Sequence, residues 1–143
     1  MAQVEQNDVQ LNISPEKACY IIVKAREFDA KVAPVEDEPG SNPADSGERE
    51  ILEDYKDDPT AQELTEAINS LNDDEVIDVI TLAWIGRGDF TKVEWSEARA
   101  LAEERHRPNS ANYLLGMPGL GDYLEEGLAQ LDYSCSDYEL NRL

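Results

Sequence analysis

Five residues in the second half of the chain have the chemistry to form a site: Arg87, Asp89, Arg99, His106 and Tyr113. Gly86-Arg87-Gly88-Asp89 sets two opposite charges in a two-glycine turn directly after an apolar run. Such a turn can present an Arg and an Asp to a ligand. It can equally join two helices, using glycine where φ is positive. The embedded Arg-Gly-Asp tripeptide resembles an adhesion signal, but three residues recur by chance and no signal peptide is evident. His106 is the only histidine and could exchange a proton near neutral pH. Its position beside Arg105 and Arg107-Pro108, at an expected helix end, gives it a plainer role as a cation complementing the helix dipole.

Other chemistries find less support. Gly116-Met117-Pro118-Gly119-Leu120-Gly121 is glycine-rich ahead of a helix, but it lacks the lysine of a phosphate loop. Asp122, Glu125 and Glu126 fill the first turns behind it, where they would satisfy the helix dipole and repel a phosphate. No metal-ligand spacing or cofactor motif is present, and no stretch fits the calcium-loop pattern of an EF-hand. Cys19 lies in an apolar helical stretch and Cys135 near the C-terminus, so neither reads as a nucleophile. Two cysteines are no disulfide framework, and the expectation is two reduced thiols in a cytoplasmic protein.

The charge balance says more. The 143 residues carry 32 Asp and Glu against 12 Lys and Arg, a net charge of −20. Phosphate binding draws its affinity from Lys and Arg, so direct nucleic-acid binding is disfavoured, as is an anionic membrane surface. From Asp29 to Asp78 there are 17 acidic and 3 basic residues, whereas residues 79–109 hold five of each. The molecule is therefore polarised, and a basic partner would be oriented by that polarity. The clustered carboxylates Glu53, Asp54, Asp57 and Asp58 are candidates for an acidic docking surface. Acidic clusters at helix starts also serve as caps.

The elements that would position these residues are helical. Ser14-Pro15-Glu16 reads as a helix start, followed by apolar residues at helical spacing to about Lys31. Residues 33–47 carry three prolines and two glycines, and are expected to form a long exposed acidic loop. Residues 49–55 suggest a short helix. Asp58-Pro59 restarts a helix whose Ala61, Leu64, Ile68 and Leu71 share a face. Asn72-Asp73 caps a stretch apolar nearly all round to Ile85, the mark of a buried central helix, which Gly86-Arg87-Gly88 should end. Thr91 and Glu94 have capping-box spacing ahead of the next helix. Residues 110–115 form a short turn or helix, and Met117-Pro118 opens the last one. Gly127 inside that helix costs about 1 kcal/mol relative to Ala. Close approach of a neighbouring helix would account for it.

The expected architecture is all-α: a single-domain bundle of five or six helices over 14–132, with residues 1–13 flexible and 133–143 a tail. Trp84, Trp95, Phe28, Leu124 and Ile80 are the expected core. At roughly 100–200 residues per domain, one domain accounts for the length. No apolar stretch approaches the ~18 residues needed to span a membrane.

LAWIGRGDF at 82–90, EWSEARALAEERH at 94–106 and YLLGMPGLGDYLEEGL at 113–128 resemble a family of small bacterial proteins, mostly alphaproteobacterial, catalogued as a domain of unknown function. YIIVKAREFD at 20–29 resembles its N-terminal helix. The resemblance implies a compact bacterial domain and carries no functional residue with it. The first expectation is thus a non-catalytic acidic interaction or adaptor module for a basic protein, without cofactor. A small-ligand binder or enzyme around the Gly86–Asp89 turn and His106 is the second. An acidic mimic of nucleic acid is a weaker third.

Overall fold

The computed structural model describes residues 9–32, 58–105 and 110–135. They form six α-helices: α1 (Pro15–Val32), α2 (Pro59–Asn69), α3 (Asp73–Arg87), α4 (Trp95–Arg105), α5 (Ser110–Leu115) and α6 (Leu120–Gln130). A 3-10 turn, Lys92–Glu94, leads into α4. No strand occurs among the described residues, and none of their helices is long and apolar enough to cross a membrane. The expected acidic loop at 33–47 and the short helix at 49–55 lie outside the described residues.

Helices α1, α2 and α3 each start where the sequence provides a side-chain cap. Ser14 Oγ accepts from the Lys17 backbone N–H at 3.1 Å, and Asp58 Oδ2 accepts from Thr60 and Ala61 at 2.9 and 3.1 Å. Asn72 and Glu75 satisfy each other's backbone N–H at 2.9 Å in both directions, a complete capping box. Glu94 returns to the Thr91 N–H at 2.8 Å, but one 3-10 turn intervenes before α4 begins. At the far end, α3 runs one residue beyond Gly86, and Gly88 is the residue that stops it, with φ of 97°. Gly88 donates to Ile85 and Asp89 to Trp84, closing the last turn of the helix. The last helix opens at Leu120 rather than at Pro118, because Gly119 takes a left-handed φ of 82° just before it.

The centre of the bundle is α3, buried from Glu75 to Ile85. It packs most extensively on α6 and then on α4, while α1 covers α6 and α2. All five expected core residues are buried, from Leu124 at 1% exposure to Trp95 at 8%. The contact between α3 and α6 is backbone against backbone. A Cβ on Gly127 would stand 2.4 Å from the Leu82 carbonyl oxygen, and one on Gly86 would stand 1.8 Å from that of Tyr123. Gly127 is therefore the close-approach glycine expected from the sequence. Of the Gly86-Arg87-Gly88 stretch expected to end α3, Gly88 supplies the stop and Gly86 is the matching half of the crossing.

Two outer segments are held more firmly than their composition suggests. Of the N-terminal stretch expected to be flexible, residues 9–13 are described and Ile13 sits in the core. The expectation of two reduced thiols is overturned: Cys19 on α1 and Cys135 after α6 form a disulfide, with Cα atoms 5.7 Å apart. Both cysteines are buried. Composition could not show this pairing, because it depends on α6 delivering residue 135 onto α1.

Gly86→Ala should destabilise the fold by about 1–3 kcal/mol or more, the range for overpacking against atoms that cannot yield. Gly88→Ala, which meets nothing within 4 Å, should cost only the roughly 1 kcal/mol of a left-handed alanine. Urea unfolding of the two variants tests the order. Cys135→Ser should lower stability by about 2–5 kcal/mol, since the bridge closes most of the chain into one loop. The same titration on the oxidised parent protein supplies the reference.

Candidate functional site

The turn that ends α3 builds a small cluster. Because Gly88 reverses the chain, the Asp89 carboxylate folds back on Arg87 and accepts from its Nε at 3.0 Å and from a terminal nitrogen at 2.6 Å. Trp84, one turn earlier, donates from Nε1 to the Tyr113 hydroxyl of α5 at 3.0 Å. Phe90 tilts against the Trp84 ring with centroids 6.0 Å apart. Burial works against the Arg87 charge, but Asp89 and the Tyr113 hydroxyl outweigh it and keep the guanidinium pKa above its ordinary value. Three of the five expected site residues, Arg87, Asp89 and Tyr113, thus meet. Their polar atoms are used on one another, and Tyr113 remains 41% exposed.

Arg99 belongs elsewhere. From α4 it reaches the first half of α3, donating from Nε to Asp78 Oδ1 at 2.9 Å and from a terminal nitrogen to Asp74 at 3.3 Å. Asp78 lies nine residues before Arg87 on one helix, or about 14 Å along its axis. The Asp78 carboxylate is fully buried and accepts from the backbone N–H groups of Asn12 and Ile13 as well. This arrangement ties the N-terminal segment, α3 and α4 together. A carboxylate inside the apolar run VIDVITLAWI was the sequence signal for it. A charge there must find a partner, although nothing in the run says which. His106 lies outside the described residues. The five expected residues do not converge among those described.

Of the expected docking carboxylates, Glu53, Asp54 and Asp57 are outside the described residues. Asp58 is, and it is engaged: it caps α2 and accepts from Lys31 Nζ at 2.7 Å. That ion pair, with the two backbone donors, holds its pKa below the usual carboxylate range. Three further cations behave alike. Lys17 pairs with Glu75, Lys24 with Glu27 and Glu63, and Arg26 with Asp122 and Glu125. Among the described residues no three His, Cys, Asp or Glu side chains gather as a metal ion would require.

Asp29 is the described acid whose environment most changes its chemistry. It is half-buried at the end of α1 and accepts from the Gly119 N–H at 3.2 Å, latching α1 to the turn before α6. Burial pushes its pKa up from 3.8 to about 6; the Gly119 N–H opposes that rise and Asp122 adds to it. A folded-state pKa above the unfolded one means the fold prefers the protonated acid. Its contribution is present at low pH and is lost as pH rises from about 4 through 6. Asp29→Asn keeps an acceptor for Gly119 and carries no charge. The variant should therefore melt above the parent at pH 7.5, with the gap shrinking as pH falls below 6. Paired thermal melts across that range measure it, and the opposite-sign effects of Asp58 and Glu75 cancel in the difference.

Comparison with curated proteins and with solved structures gives no match. A family model does match, over residues 61–133, which run from the first turn of α2 to just past α6. Helix α1 and both cysteines lie outside that span. The glycine crossing, the Trp84–Tyr113 cluster and the Asp78–Arg99 pair lie within it, and over those 73 residues the chain belongs to the family described as protein of unknown function (DUF3775).

Proposed function

We propose that the chain is a non-catalytic acidic interaction module that binds a basic protein partner. One observation carries this reading. The described residues hold 19 Asp and Glu against 8 Lys and Arg, and six of those eight cations are already paired with carboxylates inside the fold. What is left to face a partner is a surplus of negative charge, with little positive charge for phosphate or nucleic acid to use. Exposed charges of this kind attract strongly at low salt and are screened within about 8 Å at physiological salt. They favour association rate and orientation over raw affinity. The buried Cys19–Cys135 bridge favours a setting in which thiols oxidise, against the reducing cytoplasm expected from the sequence.

The test is co-purification of the tagged chain from its own cells, with native mass spectrometry of what is retained. A stoichiometric partner bearing a basic patch should be held at low salt and released at about 0.5 M salt. A partner held equally at both salts counts against the proposal. A bound metabolite or metal on a partner-free chain would redirect attention to the Arg87–Asp89–Tyr113 cluster.

A further inference from the structure

A cleft of about 320 Å³ opens between the first turns of α1 and the end of α2. Tyr20, Ile21, Ala67 and Leu71 provide the apolar part of its lining, and Glu16, Lys17 and Ser70 the polar part. Tyr20 is one of three large hydrophobic residues left exposed among those described. The cleft is at the small end of the range for ligand pockets, room for one or two aliphatic side chains rather than a cofactor.

Its electrostatics select the occupant. Helix α2 ends at this cleft with no basic residue in its last turn to complement its negative dipole end, although its Glu66, Ala67 and Ile68 carbonyls accept from the Ser70 N–H, the Ser70 hydroxyl and the Leu71 N–H. Glu66, exposed one turn before Ser70, and Glu16 add charge of the same sign, and no described cation pairs with either. Two cations stand at the cleft, Lys17 in its lining and Lys24 beside it, and each is paired with a carboxylate. Lys17 is held by Glu75 at 3.0 Å, and Lys24, lying over the Tyr20 ring, by Glu63 at 2.7 Å. A second copy of the chain, at net charge −20, would bring like charge to an acidic rim.

We infer that this cleft is the specificity pocket of the interaction module: it receives an aliphatic side chain of a basic peptide segment, with the neighbouring Lys or Arg set against the end of α2 and Glu66. The inference rests on the acidic-module reading and deepens it by separating two contributions. General charge supplies attraction, and the cleft distinguishes one basic segment from another.

The test uses two fluorescein-labelled peptides of equal length and lysine content, one with leucines beside the lysines and one with serines in their place. Fluorescence anisotropy with the full oxidised chain should show the leucine peptide binding about tenfold more tightly, the worth of burying one such side chain. Ala67→Trp fills the cleft and should erase that tenfold difference while leaving the salt-sensitive binding of both peptides. Ser70→Trp, at an exposed position on the same rim, does the same should Ala67→Trp fail to fold. Equal affinities for the two peptides on the parent chain, both salt-sensitive, would overturn the cleft and leave the acidic module standing. No salt-sensitive binding of either peptide would overturn both. A concentration-dependent dimer of the parent chain dispersed by Ser70→Trp would assign the cleft to a second copy and also overturn the inference.

Discussion

The backbone contact between α3 and α6 is the constraint on which the rest of the structure depends. Helix axes usually lie 8–10 Å apart, separated by side chains. Here Gly86 and Gly127 remove the side chain on each side, and the backbones of the two helices come into direct contact. That approach sets how deep α3 lies, and therefore that it is buried almost throughout. It also carries the end of α6 back towards α1, where the chain can bring Cys135 to Cys19. Gly121, whose Cβ would press on Arg26 and the Ile22 carbonyl, extends the same close packing from α6 to α1.

Around this contact, polar groups in the interior are paired rather than excluded. Asp78 is the extreme case, a carboxylate with no exposure inside the most apolar helix. Alone it would carry a large desolvation cost. Its pairing with Arg99 and two backbone N–H groups offsets that cost and gives it three segments to hold in register. Thr81, also buried, solves the same problem locally by donating to the Ile77 carbonyl at 2.7 Å. No buried side-chain polar atom among the described residues is left without a partner.

This internal pairing is what connects the fold to the proposed function. Cations that could have formed an anion site are spent as latches between helices: Lys31 from α1 to the cap of α2, Arg26 from α1 to α6, Arg99 from α4 to α3. The Lys31 and Arg26 pairs are exposed and add little stability individually, whereas the Arg99 pair offsets the burial of Asp78. Their larger consequence is electrostatic. With those cations paired, the described residues carry a surplus of carboxylates, the feature on which the proposed reading rests.

Much of the fold was legible in the residues. Ser14, Asp58 and Asn72 act within a few residues of themselves, so the starts of α1, α2 and α3 could be read from local chemistry. The apolar spacing of α1 and α2 and the all-round apolarity of α3 likewise determined which faces are buried, and Gly127 signalled a close neighbour. The sequence alone also determined the net charge of −20. What it could not specify were pairings between residues distant along the chain. Arg87 and Asp89 meet because a left-handed Gly88 lies between them, whereas Arg99 was separated from them by the length of α3. Asp78 found its donors on the N-terminal segment, and Cys19 found Cys135 more than a hundred residues away. Caps and periodicity act over one or two turns of helix. Which side chains converge into a site is decided by the angles and depths at which whole helices pack, and here two glycines set the closest of those approaches.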